Sequence, residues 1–176
     1  MDLSLQLRRI PDHPRPGVTF IDILPIIGDA RAFAEALRQL GEAVSDLAVD
    51  LVVAPEARGF LVGAPLAITL GVGFAPVRKA GKLPWEVERQ TYQLEYGSDT
   101  VEIHRDAVRP GQRVLVVDDL LATGGTVQAA MDLVERLGGI ITGTAFLVEL
   151  EELGARDHTL AGRTVRSVLR VREHEG

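Results

Sequence analysis

The sequence contains no cysteine, which removes disulfides, thiolate nucleophiles and sulfur-ligated metal sites from consideration. Aromatic residues are scarce at 5%, with a single tryptophan, Trp85. No apolar run is long enough to span a bilayer; the longest, around Phe60–Val77, is broken by glycine and proline. The N-terminal MDLSLQLRRI has no basic n-region and no clear cleavage site, so no secretory signal is expected and the cytoplasm is the default compartment. A basic excess is also missing. The 19 Lys and Arg residues face 25 Asp and Glu, a net charge of −6, which speaks against a sequence-independent grip on nucleic acid. His13, His104, His158 and His174 lack metal-ligand spacing, so scattered surface histidines are expected and no metal site built by side chains alone.

What remains is an ordinary globular balance, 46% apolar and 25% charged over 176 residues, suited to one domain with a sizeable core, 1–176. Ala30–Leu47 places Phe33, Leu37, Leu40, Val44 and Leu47 at helical spacing. Asp50–Ala54 is a short continuous apolar run, as in a strand buried on both faces. Leu61–Leu70 reads as a helix closed by Gly71, and Gly73–Arg78 as a strand that Pro76 puts near an edge or ends early. Thr126–Leu137 is an amphipathic helix, followed by strands over Ile140–Leu150 and Thr164–Val171. The Pro- and Gly-rich His13–Ile27 is expected to be irregular, Lys79–Arg89 a mobile loop, and the tail from Arg170 frayed. Thr91–Glu95 and Thr100–His104 form a hairpin about a Gly-Ser-Asp turn. Alternating strands and helices predict an α/β domain with a mostly parallel central sheet and helices on both faces. Ligands of such sheets sit outside the carboxyl ends of the strands.

The chemistry concentrates in Val114–Ala130, VLVVDDLLATGGTVQAA. A buried strand runs into Asp118 and Asp119, then into Ala122, Thr123, Gly124, Gly125 and Thr126, then into a helix. Glycines let backbone N–H groups turn inward to an anion, and the helix start adds partial positive charge. Thr123 and Thr126 add hydroxyl donors, and Thr126 can cap the helix. Alone, ATGGT fits a plain strand-to-helix turn equally well. The two acids tilt the balance, because carboxylates at a strand's end accept hydrogen bonds from sugar hydroxyls. Together they suit ribose 5-phosphate. Walker A and dinucleotide fingerprints are both absent.

VLVVDDLLATGGT resembles the phosphoribosyl-diphosphate signature of the type I phosphoribosyltransferases. From roughly Pro14 to Leu150, the blocks PGVTFIDI, EARGF, RKAGKLP and LEYG follow in the order of the adenine-using branch of that family, the adenine phosphoribosyltransferases. The resemblance implies transfer of phosphoribosyl from its diphosphate to adenine, giving AMP and pyrophosphate, with Mg²⁺ bound mainly through the diphosphate. It further implies a homodimer, an N-terminal hood segment over 1–28 that binds the base, and a flexible loop and hairpin over 79–104. Base binding would fall to a sandwich of Phe20 and Leu120, with main-chain groups of Thr19 and Ile21 reading the purine edge. Arg58 would attend the pyrophosphate, helped by Arg78, Lys79 and Lys82, and Tyr96 would touch phosphate or close the hood. Glu95 stands where the family's proposed acid on the purine ring falls.

Each of these positions also has a bland reading. Phe20 can be core packing, Glu95 a solvated strand residue, Tyr96 a cover over the core, and the cation cluster ordinary surface charge. The family's usual Arg after Phe20 is Ile21 here, so any guanidinium contact to the base is lost. Two other functions stay open: a transferase for another purine such as xanthine or hypoxanthine, and a nucleic-acid-binding regulator that keeps the ribosyl-phosphate pocket. The regulator would want a basic face, which the acidic composition does not supply.

Overall fold

Helices and strands alternate along the chain in the computed structural model, which describes residues 1–93 and 97–172. A short antiparallel pair, β1 (Arg8–Ile10) and β2 (Phe20–Asp22), precedes α1 (Leu24–Gly28) and α2 (Ala30–Ala43). Next come β3 (Leu51–Pro55), α3 (Arg58–Leu70), β4 (Gly73–Lys79) and the hairpin of β5 (Val87–Gln93) and β6 (Ser98–His104). The chain continues through β7 (Arg113–Leu121), α4 (Gly125–Arg136), β8 (Ile140–Leu150) and β9 (Val165–Val171). Seven strands make one sheet in the order β5-β6-β4-β3-β7-β8-β9. All pairings from β4 through β9 along that order are parallel, and β6 and β5 add an antiparallel margin.

The sheet is buried on both faces, which explains the unbroken apolar runs of its central strands. Val114 and Val116 pack with Val127, Met131 and Val134 of α4. Leu115 and Val117 turn the other way, to Leu40 of α2 and Val62 and Leu66 of α3. Each such side chain contributes about 1.5–3 kcal/mol by leaving water. Asp29 caps α2, its carboxylate accepting from the N–H groups of Arg31 and Ala32 at 2.9 and 2.8 Å.

Several elements differ from the sequence expectation. His13–Ile27 is not irregular throughout: β2 forms because β1 pairs with it, and α1 starts on Pro25 in its first turn. Neither signal is visible in a stretch so rich in proline. Instead of lying at an edge, β4 sits between β3 and β6. Pro76 is aligned with Ala54 on the β3 side, and β6 joins β4 only past the proline, at Arg78 and Lys79. The loop expected to reach Arg89 gives way to strand at Val87. β5 hides its periodicity because the face it lays on α4 is polar. Gln90 donates to Asp132 at 3.2 Å, and Arg136 donates to the Arg89 carbonyl at 2.7 Å and to Gln90. Arg170 and Val171 belong to β9 rather than to a frayed tail. Trp85 stands on the β4–β5 connection at φ 81°, exposed, edge-on to His104 at 6.3 Å.

Candidate active site

Asp118 and Asp119 lie inside β7, not beyond its end as the sequence suggested. Pairing with β3 stops at Val116, whereas pairing with β8 continues to Leu121. The two acids therefore sit where one neighbour has peeled away, and the first turn of α3 enters the gap. There Arg58 Nε comes within 3.0 Å of Asp119 Oδ2. Gly59 lets Asp118 in: a Cβ at that position would lie 2.8 Å from Asp118 Oδ1. The same oxygen accepts the Asp119 N–H at 2.9 Å.

Two carboxylates side by side in a buried position are costly when both are charged. Burial above all, and the Asp119 charge next, push the Asp118 carboxyl well above the usual range. Asp119 Oδ2 is buried and, despite the ion pair with Arg58, accepts no hydrogen bond among the described residues. A buried carboxylate oxygen without a hydrogen bond is uncommon in a folded protein.

After β7 the chain turns through Ala122–Gly124 into α4. Gly124 is the residue before the helix, at φ 83° and ψ −1°, and no side chain caps the first turn. Thr126 is thus not the cap; its hydroxyl donates to the Tyr92 hydroxyl at 3.1 Å. Residues 118 and 120–127 enclose a small polar cavity of about 80 Å³. The first N–H groups of α4 have no partner within the helix and are free for an anion.

A larger, mostly apolar cavity of about 760 Å³ adjoins it, the size usual for a small-molecule site. Thr19, Phe20 and Ile21 line it opposite Leu120. Ile21 is buried and belongs to the core cluster on the α2–α3 side of the sheet. Arg58 reaches across this cavity too, its Cζ 5.4 Å from the Phe20 ring centroid. Leu120 and Ala122 line both cavities.

The cations of β4 and the following loop are largely engaged. Arg78 Nε and Nη2 donate to Glu56 Oε2 at 3.1 and 3.0 Å. Lys79 Nζ is 3.2 Å from Asp99 Oδ2, and its N–H donates to Glu56 Oε1 at 2.6 Å. The Lys82 N–H donates to buried Glu102 at 3.0 Å, which pins the loop. Glu95 and Tyr96 lie outside the described residues. Leu150, Leu153 and His13 also line the apolar cavity, His13 standing edge-on to Phe20 at 5.3 Å. None of the three carried a signal in the sequence, because helical or strand periodicity says nothing about which residues converge from separate segments. Among the described residues no three His, Cys, Asp or Glu side chains gather to hold a metal, and no helix is long and apolar enough to cross a membrane.

A sequence model described as the phosphoribosyl transferase domain matches residues 24–170. Among solved structures, the chain is similar to the adenine phosphoribosyltransferase of Thermoanaerobacter pseudethanolicus, with 52% identity and a TM-score of 0.93 over 97% of this chain and 98% of that one. The Rhodothermus marinus adenine phosphoribosyltransferase is 46% identical, with a TM-score of 0.89 and 96% of each chain covered. That of Saccharomyces cerevisiae, solved with adenine and an imino-altritol bisphosphate, is 42% identical, with a TM-score of 0.89 over 96% of this chain and 97% of that one.

Proposed function

The chain belongs to the phosphoribosyltransferase family, and on that premise we propose that it transfers phosphoribosyl from its diphosphate to adenine, giving AMP and pyrophosphate in purine salvage. One observation supports this above all. The apolar cavity lined by Phe20 and Leu120 shares Leu120 and Ala122 with the polar cavity of the glycine loop, and Asp118 lines that polar cavity with Asp119 next to it in β7. A flat base in the first and a phosphate in the second leave the sugar beside Asp118 and Asp119.

The roles follow from chemistry. N–H groups at the start of α4 and the hydroxyls of Thr123 and Thr126 hold the 5′-phosphate. Asp119, with its unsatisfied buried oxygen, accepts from a ribose hydroxyl. Arg58 leaves Asp119 and Phe20 for the departing pyrophosphate, where a guanidinium matches phosphate oxygens. As that group leaves, positive charge grows on the ribosyl centre in an oxocarbenium-like transition state, and the acids below it stabilise that charge. Lys79 and Lys82 add cations around the diphosphate, and Glu95 meets the purine ring as acid. The β5–β6 hairpin shields the site from water, with Tyr92 laid against Thr126.

Mg²⁺ fits as a companion of the diphosphate: two carboxylates suit a cation that keeps most of its ligands as phosphate and water. It would neutralise phosphate charge while Asp118 and Asp119 anchor its edge. Family membership also supports a homodimer and a cytoplasmic location; sedimentation equilibrium checks the first.

The test is to incubate the protein with Mg²⁺, phosphoribosyl diphosphate and each purine base separately. AMP from adenine alone supports the reading. IMP or XMP as the main product moves it to another purine, and no nucleotide from any base overturns it.

A further inference from the structure

The segment after β8, Gly154–Arg163, had no motif in the sequence, yet it backs the phosphate loop. Two anchors fix it. Arg156 donates to buried Glu149 through Nε at 2.9 Å and Nη2 at 2.5 Å, and Leu160 is fully buried. Between these anchors stands Thr159, whose Oγ1 donates to the Thr123 carbonyl oxygen at 2.6 Å. A Cβ on Gly124 would lie 3.2 Å from the Thr159 Cβ and Cγ2, so the same side chain covers the back of the loop.

We infer that Thr159 is a positioning residue for phosphate binding, acting by fixing the plane of the Thr123–Gly124 peptide. The physical reason is the rigidity of the peptide unit. In a trans peptide the C=O and N–H point in opposite directions. Thr159 does not line the phosphate cavity, so a carbonyl held toward it turns the Gly124 N–H to the cavity side. The lock is needed because of the glycine. Gly124 sits at φ 83°, and a residue with no Cβ also visits negative φ readily. Rotation of this one peptide would aim a carbonyl oxygen at the phosphate in place of a donor. A glycine loop that can wrap an anion can also present the wrong face to it, and Thr159 removes that alternative.

This inference rests on the proposed phosphate role of the loop. Thr159→Val keeps the methyl and the shape and removes the donor, whereas Thr159→Ser keeps the donor and removes the methyl. Because Thr159 is exposed, water replaces part of the lost bond. The valine variant should therefore weaken AMP binding by about threefold to tenfold, the net worth of one hydrogen bond. Its KM for phosphoribosyl diphosphate should rise alike, with KM for adenine unmoved, and the serine variant should return both to near wild type. Equal losses for adenine and phosphoribosyl diphosphate, or a valine variant matching wild type in AMP affinity, would overturn the inference while leaving the transferase reading intact. Failure of the wild-type protein to bind AMP would overturn the phosphate reading itself, and the role of Thr159 with it.

Discussion

Alanine replacements at three helical glycines separate folding from function by geometry alone. At Gly41 in α2, a Cβ would rest 3.7 Å from Thr69 Cγ2, an ordinary contact. Gly41→Ala should stabilise the protein by about 0.5–1 kcal/mol through helix propensity. For a chain of this size that raises Tm by about 1–4 °C. At Gly63 in α3, the Cβ would lie 2.7 Å from Ala54 Cβ and 3.2 Å from Phe74 Cε2. Overpacking of this kind costs about 1–3 kcal/mol, so after the propensity gain Gly63→Ala should lose about 0.5–2 kcal/mol. Its activity per folded molecule should be kept. At Gly59 the Cβ would lie 3.2 Å from Pro55 Cδ and 2.8 Å from Asp118 Oδ1. Stability should fall by a similar amount, but here the displaced atom is a carboxyl oxygen of Asp118, which borders the proposed sugar site. A shift of about 1 Å in such a group can cost about a hundredfold in rate, so Gly59→Ala should lose about ten- to a hundredfold in kcat/KM. Thermal melts and steady-state kinetics, both at a temperature where all three variants are folded, measure the two effects. The reasoning fails if Gly59→Ala melts higher than wild type with full activity. It fails equally if Gly63→Ala loses as much kcat/KM as Gly59→Ala.

Asp119→Asn should cut kcat/KM by about ten- to a hundredfold, as expected for losing a charge-assisted bond of about 1.5–3 kcal/mol; retention of full activity would remove Asp119 from the ribose site. Phe20→Ala should raise KM for adenine by about tenfold or more while leaving KM for phosphoribosyl diphosphate nearly unchanged, since a stacking wall of about 1–3 kcal/mol is lost. Glu149 gives an acid-limb test. Burial pushes its carboxyl up, but the Arg156 guanidinium and the Ser167 hydroxyl outweigh this and hold it below the usual range. A carboxyl lowered in the folded state adds stability that is whole above its unfolded pKa of about 4.3 and is lost as pH falls through the folded value. Glu149→Gln should flatten Tm against pH below about 4.3 and lower stability at neutral pH by about 1–3 kcal/mol. That range lies under the figure for a wholly buried pair because the Arg156 side chain keeps 31% exposure. An unchanged acid limb would remove Glu149 from the acid response.

The chain's order of strands and helices was legible because each signal is local. β3, α3, β7, α4 and β8 are encoded by contiguous runs whose spacing matches one periodicity. β5 was partly hidden, since it docks on α4 through Gln90, Arg136 and Tyr92 rather than through an apolar face. Proline and glycine masked α1, which carries Pro25 in its first turn, and β2, which forms by pairing with β1 ten or more residues away.

The same division runs through the site. VLVVDDLLATGGT by itself determined a buried strand, two acids and a glycine turn into a helix, because strand, loop and helix follow one another without a gap. Tertiary structure alone decided what surrounds them. Arg58 comes from α3, Phe20 from β2 and Asp119 from β7; they meet because β3 stops pairing with β7 at Val116 and α3 fills the opening. Thr159 reaches the loop across 36 residues of chain. Such contacts depend on the relative placement of packed elements, which the long-range burial of the sheet fixes and which no local spacing can report.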